Sequence, residues 1–250
     1  GADPADADAE VFALFAQVLA PLNLRAATGD IGVLMAAVQG LDTSDRRKAA
    51  LARHIWRPRR FRALLDRFAG LTEVPRSRAA LLERCVAGED VLADAGPAIG
   101  LRSKEEISAR VEALVQDAAE PPISQLQVEV LDQIIGLRRR ATHALERLRD
   151  IAVDLPAISI AVDRVGARLS ALAAHGIDIG NLDFEGSYGR TSMEYYDGFV
   201  FGFYAESRPD LPPVATGGRY DALTRALGGV GAVPAVGGVI RPALTLELVL

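Results

Sequence analysis

Leu182-Asp183-Phe184-Glu185-Gly186-Ser187, Phe199-Val200-Phe201-Gly202-Phe203-Tyr204 and Val233-Pro234-Ala235-Val236-Gly237-Gly238-Val239-Ile240 are the segments that decide the fold. Each is rich in β-branched or aromatic residues and is bounded by glycine or proline, which marks a strand. The first two flank a loop from Tyr188 to Gly198 and read as an antiparallel hairpin. Tyr220 to Leu227 reads as a short helix after a double glycine, and Arg241 to Leu250 as a last, buried helix. Upstream of Gly176 the periodicity is mostly helical. Helices first and strands later argue for an α+β domain rather than alternating α/β.

The helical part divides into separate elements. In residues 6–20, Val11, Leu14, Phe15, Val18 and Leu19 share one predicted face, and Pro21 ends the helix. Leu22 to Thr28 can form a short strand. Asp30 is placed to cap a helix that carries Ile31, Leu34, Met35 and Val38, and Thr43 or Ser44 can cap the next, which Pro58 breaks or restarts. From Pro75 to about Leu155 the pattern is helical throughout. Leu81, Leu82, Cys85 and Val86 form one apolar face, and Leu126, Val130, Leu131, Ile134 and Ile135 form another. Leu145, Leu148 and Ile151 form a further one. Ser103-Lys104-Glu105-Glu106 is a capping box, and Pro121-Pro122 is a break, with Ser124 placed to cap the next helix. The expected organisation is one domain over residues 1–250, with a helical insertion over residues 75–155 that carries no catalytic residue.

Composition narrows the function classes. The chain has 250 residues, 50% hydrophobic and 24% charged, with a net charge of −5. That balance argues against a general nucleic-acid binder. No apolar run approaches the roughly 18 residues of a membrane span, and the opening Gly1-Ala2-Asp3-Pro4-Ala5-Asp6 is acidic, so the expected location is cytoplasmic with no membrane partner. The single Cys85 excludes an internal disulfide, and His54, His143 and His175 have no ligand spacing to one another, so no metal site and no cofactor are expected. One stretch is basic: Arg46, Arg47, Lys48, Arg53, Arg57, Arg59, Arg60, Arg62 and Arg67, with Trp56 and Phe61 inside it. It has two readings: a site for an anionic partner such as phosphate or an acidic protein surface, or two amphipathic helices with solvated arginine faces. The helical spacing of Leu51, Ile55, Phe61, Leu64, Leu65 and Phe68 favours the second.

Candidate chemistry concentrates near the end. In Gly217-Gly218-Arg219-Tyr220-Asp221, two glycines leaving a strand let a ligand approach the backbone, Arg219 offers a forked donor, and Tyr220 offers a ring wall with a polar tip. Upstream, Glu194-Tyr195-Tyr196-Asp197-Gly198 puts adjacent tyrosines at a loop, where they can form a wall for a small polar ligand or pack across strands.

The two motifs together, followed by Pro234-Ala235-Val236-Gly237-Gly238, resemble the histidine-pocket segments of class II histidyl-tRNA synthetases. Those read R-G-L-D-Y-Y-T-G-x-V-F-E, G-G-R-Y-D and P-A-V-G-F-A-I-G-x-E-R. The resemblance implies a class II aminoacyl-tRNA synthetase-like antiparallel sheet and a histidine site at Tyr195, Tyr196, Tyr220, Gly217, Gly218, Arg219 and Glu194. The family's catalytic arginine falls on Thr191, with Arg190 one place off. Its ATP-binding arginine falls on Leu244 and its glutamate on Ala243. Adenylation needs positive charge on the triphosphate, and losing one such contact costs about 10²–10³ in rate. The resemblance therefore implies no catalytic residues. The variant text Gly189-Arg190-Thr191-Ser192-Met193-Glu194-Tyr195-Tyr196-Asp197-Gly198 is more similar to the ATP phosphoribosyltransferase regulatory subunit, a synthetase-like paralogue in histidine biosynthesis. So are Asp8-Ala9-Glu10-Val11 and Gly29-Asp30-Ile31-Gly32. That likeness implies a non-enzymatic partner of the short-form catalytic subunit, activating it and mediating feedback by free histidine, as a homodimer within a hetero-oligomer and without nucleic acid. The competing expectation is a fragment of an authentic histidyl-tRNA synthetase that binds histidine, ATP and tRNA. Either way the resemblance places the start of the family core well before Gly1, so the N-terminal portion with the first two class II motifs is expected to be missing.

Overall fold

A computed structural model of the chain describes residues 3–93, 95–96, 99–190, 195–228 and 233–249. Asp3 caps helix α1 (Pro4–Leu19) by accepting from the Ala5 and Asp6 amides. A 3-10 turn that includes Pro21 follows, and Asn23 at φ 46° turns the chain into β1 (Arg25–Asp30). Asp30 ends β1 and caps α2 (Ile31–Gln39), its Oδ1 accepting from Gly32 N at 2.8 Å. Helices α3 (Asp45–Arg53), α4 (Pro58–Phe68), α5 (Arg76–Val86), α6 (Lys104–Ala119) and α7 (Gln125–Gly136) come next. Pro58 sits at the start of α4, where its missing N–H costs nothing. The capping box forms as expected, Ser103 Oγ accepting from Glu106 N at 3.2 Å and Glu106 Oε2 from Ser103 N at 2.9 Å. Ser124 caps α7.

The rest of the chain supplies most of the sheet. It runs β2 (Arg138–Arg140), α8 (Ala141–Asp154), α9 (Ser159–Ala174), β3 (Asp183–Glu185), β4 (Phe199–Tyr204), β5 (Ala215–Arg219), α10 (Asp221–Leu227), β6 (Val236–Ile240) and α11 (Pro242–Val249). The six strands form one sheet in the order β2-β3-β1-β4-β5-β6. Every pairing is antiparallel except β1 with β3. The three strand segments read from sequence all lie in this sheet, and the domain is α+β.

Several expectations are corrected. β3 and β4 are not a hairpin, because β1 lies between them and pairs with both. The connection over residues 186–198 is much longer than the roughly 2–5 residues of a hairpin loop, which leaves room for a strand from elsewhere. The double glycine does not leave a strand but lies inside β5, where it pairs with β4 and β6. Glycine is a poor strand former, so composition hid this strand. The helical run from Pro75 to Leu155 is interrupted by β2, whose three arginines pair with β3 at the sheet edge. Within that run α7 and α8 bury core residues such as Leu131, Ile134 and Leu148, whereas α5 and α6 bury none. The final helix α11 is not buried: Leu244 and Leu248 pack against the core, while Leu246 and Val249 are exposed.

The face of α1 is also rotated from the expected one. Asp8, Ala9, Phe12 and Leu19 are buried, while Leu14 and Val18 face outward. Phe12 takes the central place, its ring 5.4 Å from Phe201, 5.3 Å from Phe203 and 6.2 Å from Phe199. Phe15 adds an edge contact to Phe201 at 5.3 Å. These four β4-facing contacts fasten α1 to one face of the sheet. Truncation at Phe12 and at Leu14 therefore has different expected outcomes. In chemical denaturation, Phe12→Ala lowers unfolding free energy by about 3–5 kcal/mol, and Leu14→Ala changes it by no more than about 0.5 kcal/mol. Equal losses at the two positions contradict the observed rotation.

Candidate functional site

The pleat sorts the residues at the end of the chain onto two faces of the sheet. Gly29, Val200, Gly218 and Gly237 lie in register on four neighbouring strands, so all four face the same way. Three of them lack a side chain, and the result is a shallow floor. A Cβ on Gly218 would stand 2.7 Å from Tyr196 Cδ1 and against the Phe199 carbonyl oxygen. A Cβ on Gly237 would meet the Tyr220 hydroxyl at 3.2 Å, and one on Gly29 would meet Tyr188 Cβ at 2.7 Å. The tyrosine rings approach this floor only because glycine is there.

Tyr195, Tyr196 and Tyr220 form one cluster, with ring centroids 5.1 Å apart for the first two and 4.8 Å apart for Tyr195 and Tyr220. Burial raises the pKa of the Tyr196 hydroxyl, and Tyr195 and Tyr220 add to the rise while Arg241 opposes it. Burial also raises that of Tyr195, with the neighbouring Tyr220 contributing. The two hydroxyls are therefore neutral at pH 7 and can each donate and accept. Tyr188 and Tyr204 lie on the same face, hydroxyl to hydroxyl at 2.8 Å. All five tyrosines of the chain thus serve this face.

Sequence reasoning missed Tyr188, Tyr204 and Arg241. Arg241 follows β6, donates to Pro213 O at 2.8 Å, and is the cation whose charge acts on Tyr196. A count of tyrosines within and flanking the strand segments could have found the first two.

The motifs are wired to one another by short polar contacts. Asp197 Oδ1 and Oδ2 accept from the Asp221 and Ala222 amides at 3.0 and 2.6 Å, which caps α10 from a distant loop. Asp221 Oδ1 accepts from Ala235 N at 2.8 Å. Asp197 N donates to Arg219 O, and Tyr220 N donates to Ala235 O. Tyr-Tyr-Asp-Gly, Gly-Gly-Arg-Tyr-Asp and Pro-Ala-Val-Gly-Gly are therefore one structural unit.

Two expected site residues fall on the other face. Alternation along β5 turns Gly217 and Arg219 away from the tyrosines. A Cβ on Gly217 would run into the Phe201 ring, on the α1 side. The Arg219 guanidinium is buried there, donating to Asp8 Oδ1, to Asp221 Oδ1 at 3.1 Å and to Pro4 O at 2.9 Å. Its fork is not offered on the tyrosine side. Glu194 and Thr191 lie outside the described residues. Arg190 is buried, its Nε donating to Ile55 O at 2.9 Å and its guanidinium 5.0 Å from the centre of the Phe61 ring. Its guanidinium is therefore not offered to the tyrosines. Leu244 packs against the core, and Ala243 is exposed.

Behind the sheet, Arg219 belongs to a ladder of buried charge. Arg168 on α9 donates to Asp8 Oδ2 at 2.8 Å and to Asp30 Oδ2 at 2.7 Å, and lies 4.6 Å from the centre of the Phe199 ring. Burial opposes the charge of Arg168, but Asp30 and Asp8 outweigh it and raise its pKa. A cavity of about 600 Å³ opens beside this ladder, bordered by Asp8, Arg168, Arg219 and Asp221 among others. These four side chains are committed to ion pairs within the ladder, so the tyrosine face is the better candidate for ligand recognition. Among the described residues no group of three or more His, Cys, Asp or Glu side chains could hold a metal, and no helix is long and apolar enough to cross a membrane.

The profile of the family described as Histidyl-tRNA synthetase matches residues 101–243, more than half of the chain. The chain belongs to the histidyl-tRNA synthetase family. Within curated relatives of this family it is similar to the ATP phosphoribosyltransferase regulatory subunit of Rhizobium etli, 34% identical over 139 residues, covering 54% of this chain and 36% of that one. It is also similar to the protein of that name from Brucella ovis, 31% identical over 160 residues, covering 62% and 41%. The chain thus spans about two fifths of the length of these relatives. Among solved structures, a Bacillus halodurans protein titled ATP phosphoribosyltransferase regulatory subunit/histidyl-tRNA synthetase shares the fold, with a TM-score of 0.58 at 21% identity over 98% of this chain and 50% of that one. The synthetase-like fold is thereby established.

The glycine floor gives a direct test. Gly218→Ala forces Tyr196 or the Phe199 carbonyl aside, so unfolding free energy falls by about 1–3 kcal/mol and the tyrosine fluorescence of the cluster changes. A Cβ on Gly136, at the end of α7, meets nothing within 4 Å, and Gly136→Ala leaves the tyrosine fluorescence unchanged without lowering the unfolding free energy. An unperturbed Gly218→Ala protein contradicts the proposed packing of rings on the floor.

Proposed function

We propose that the protein is a non-catalytic regulatory subunit of ATP phosphoribosyltransferase. On this reading it partners the short-form catalytic subunit, activates it, and carries histidine feedback. The observation that carries the reading is the combination of a tyrosine cluster on a glycine floor with the apolar Leu244, packed against the core, at the position where the family resemblance puts an ATP-binding arginine. The names of the curated relatives support it. Without that cation, a triphosphate lacks the charge stabilisation that adenylation requires.

The effector in this reading is free histidine. Its imidazole lies against Tyr195, Tyr196 and Tyr220 and exchanges hydrogen bonds with neutral hydroxyls, while Gly218 and Gly237 let Tyr196 and Tyr220 settle close to the sheet. Histidine feeds back on the partner enzyme only by favouring one of two states of the complex. The working assembly is a homodimer within a hetero-oligomer, and within one domain only α5 and α6, the part of residues 75–155 outside the core, act as a helical insertion.

The test uses the whole protein. Pull-down with a short-form ATP phosphoribosyltransferase, with and without histidine, retains the partner, and histidine-dependent pyrophosphate exchange stays at background. Tyr196→Phe removes one hydroxyl without removing the ring. It weakens histidine binding in calorimetry by about tenfold, as loss of roughly 1.4 kcal/mol of hydrogen bonding predicts, while circular dichroism and partner capture are unchanged. Synthetase-level exchange refutes the non-catalytic reading, and unchanged histidine affinity in both Tyr196→Phe and Tyr220→Phe refutes the pocket.

A further inference from the structure

Most arginines of the basic stretch turn out to have ordinary roles, but one group does not. Arg47 on α3 is buried and saturated: its Nε donates to Asp117 Oδ1 at 2.8 Å, Nη1 to Pro121 O at 2.8 Å, and Nη2 to Asp117 O at 2.6 Å. It is the main polar link between α3 and the end of α6. Next to it a cavity of about 270 Å³ is lined by Arg47, Arg67, Arg78, Phe68, Asp117 and Glu120 among others. Arg67, on α4, has its Nε buried with no hydrogen-bond partner among the described residues. The guanidiniums of Arg47 and Arg67 lie 5.1 and 4.9 Å from the centre of the Phe68 ring. The side chain of Arg78, on α5, makes no hydrogen bond or ion pair among the described residues, its amide alone bonding to Pro75 O.

These groups repel one another. Burial lowers the pKa of Arg67, and the charge of Arg78 lowers it further; Asp117 opposes them, and Arg47 and Arg46 add to the lowering. Asp117 is the carboxylate that acts on Arg67, and its Oδ1 is already held by Arg47. A buried guanidinium nitrogen without an acceptor costs the desolvation of a charged donor. An anion in the cavity supplies that acceptor and relieves the repulsion together. Two guanidinium forks from different helices suit a tetrahedral oxyanion with several acceptor oxygens.

We propose that the cavity between α4 and α5 binds the phosphate group of a small molecule, held by Arg67 and Arg78 against the wall formed by Arg47 and Phe68. The bound phosphate bridges the body of the domain to the α5–α6 hairpin, which buries no side chain of its own. Occupancy of the site therefore sets how firmly the hairpin is docked. The proposal is independent of the histidine reading and lies on different elements from the tyrosine face.

The experiment titrates the whole protein with inorganic phosphate by calorimetry, against chloride at matched ionic strength, and repeats the titration with pyrophosphate. Hydrogen exchange then tracks the amides of residues 76–119. Saturable phosphate binding with slower exchange in that segment is expected. Binding weakens at least tenfold in Arg67→Gln and in Arg78→Gln, and is unchanged in Arg139→Gln on the exposed β2 edge. Tighter binding of pyrophosphate than phosphate marks a diphosphate ligand, and equal binding a monophosphate; both support the site. If Arg67→Gln fails to fold by circular dichroism, Arg78→Gln decides, since Arg78 is less enclosed in a core helix. No phosphate effect beyond that of chloride overturns the proposal. So does undiminished binding in the folded variants, or binding confined to long polyanions.

Discussion

Five charged side chains, Asp30, Arg168, Asp8, Arg219 and Asp221, run in a row through the interior behind the sheet, and the architecture depends on them. They come from the end of β1, α9, α1, the end of β5 and the start of α10, elements that are far apart in the chain. Charges removed from water are tolerable only when each meets its partner with good geometry. Loss of one member leaves another uncompensated, at a cost of about 3–5 kcal/mol. The ladder therefore selects one relative placement of α1, α9 and the sheet, where the apolar contacts of Phe12 alone would accept several.

The same ladder explains what happens on the opposite face. Arg219 is anchored behind the sheet, so its neighbours Gly218 and Tyr220 present themselves in front. Asp221, the last rung, also accepts from Ala235 N, and the α10 amides close onto Asp197. The tyrosine cluster is positioned by charges it never touches. A residue that reads as a ligand donor is instead the anchor of the scaffold that holds the tyrosine cluster.

The α5–α6 hairpin obeys different physics. It makes no buried core of its own, and its attachment to α3 rests on Arg47 reaching Asp117 and the carbonyls at the end of α6. A region held by few contacts opens at low free energy and can be redocked by a ligand. The crowding of Arg67 and Arg78 at that joint is unfavourable unless something anionic is present, and this is where the basic stretch departs from a solvated helix face.

Local pattern by itself determined a good part of this protein. The strand segments near Phe184, Phe199–Tyr204 and Val236–Ile240 and the caps at Asp30, Ser103 and Ser124 could all be read from the residues, because caps and strand propensity depend on neighbours a few positions away, whereas the grouping of the tyrosine and glycine motifs came from the family resemblance. Tertiary structure alone decided that β1 inserts between β3 and β4, that α1 buries Phe12 and Asp8 rather than Leu14 and Val18, and that the double glycine lies within a strand. It also decided that Arg219 faces the ladder. Successive residues of a strand point to opposite faces, and a run such as Thr216-Gly217-Gly218-Arg219 has no apolar alternation to set the phase. The phase comes from the buried partner, Asp8, which lies more than 200 residues away in the chain.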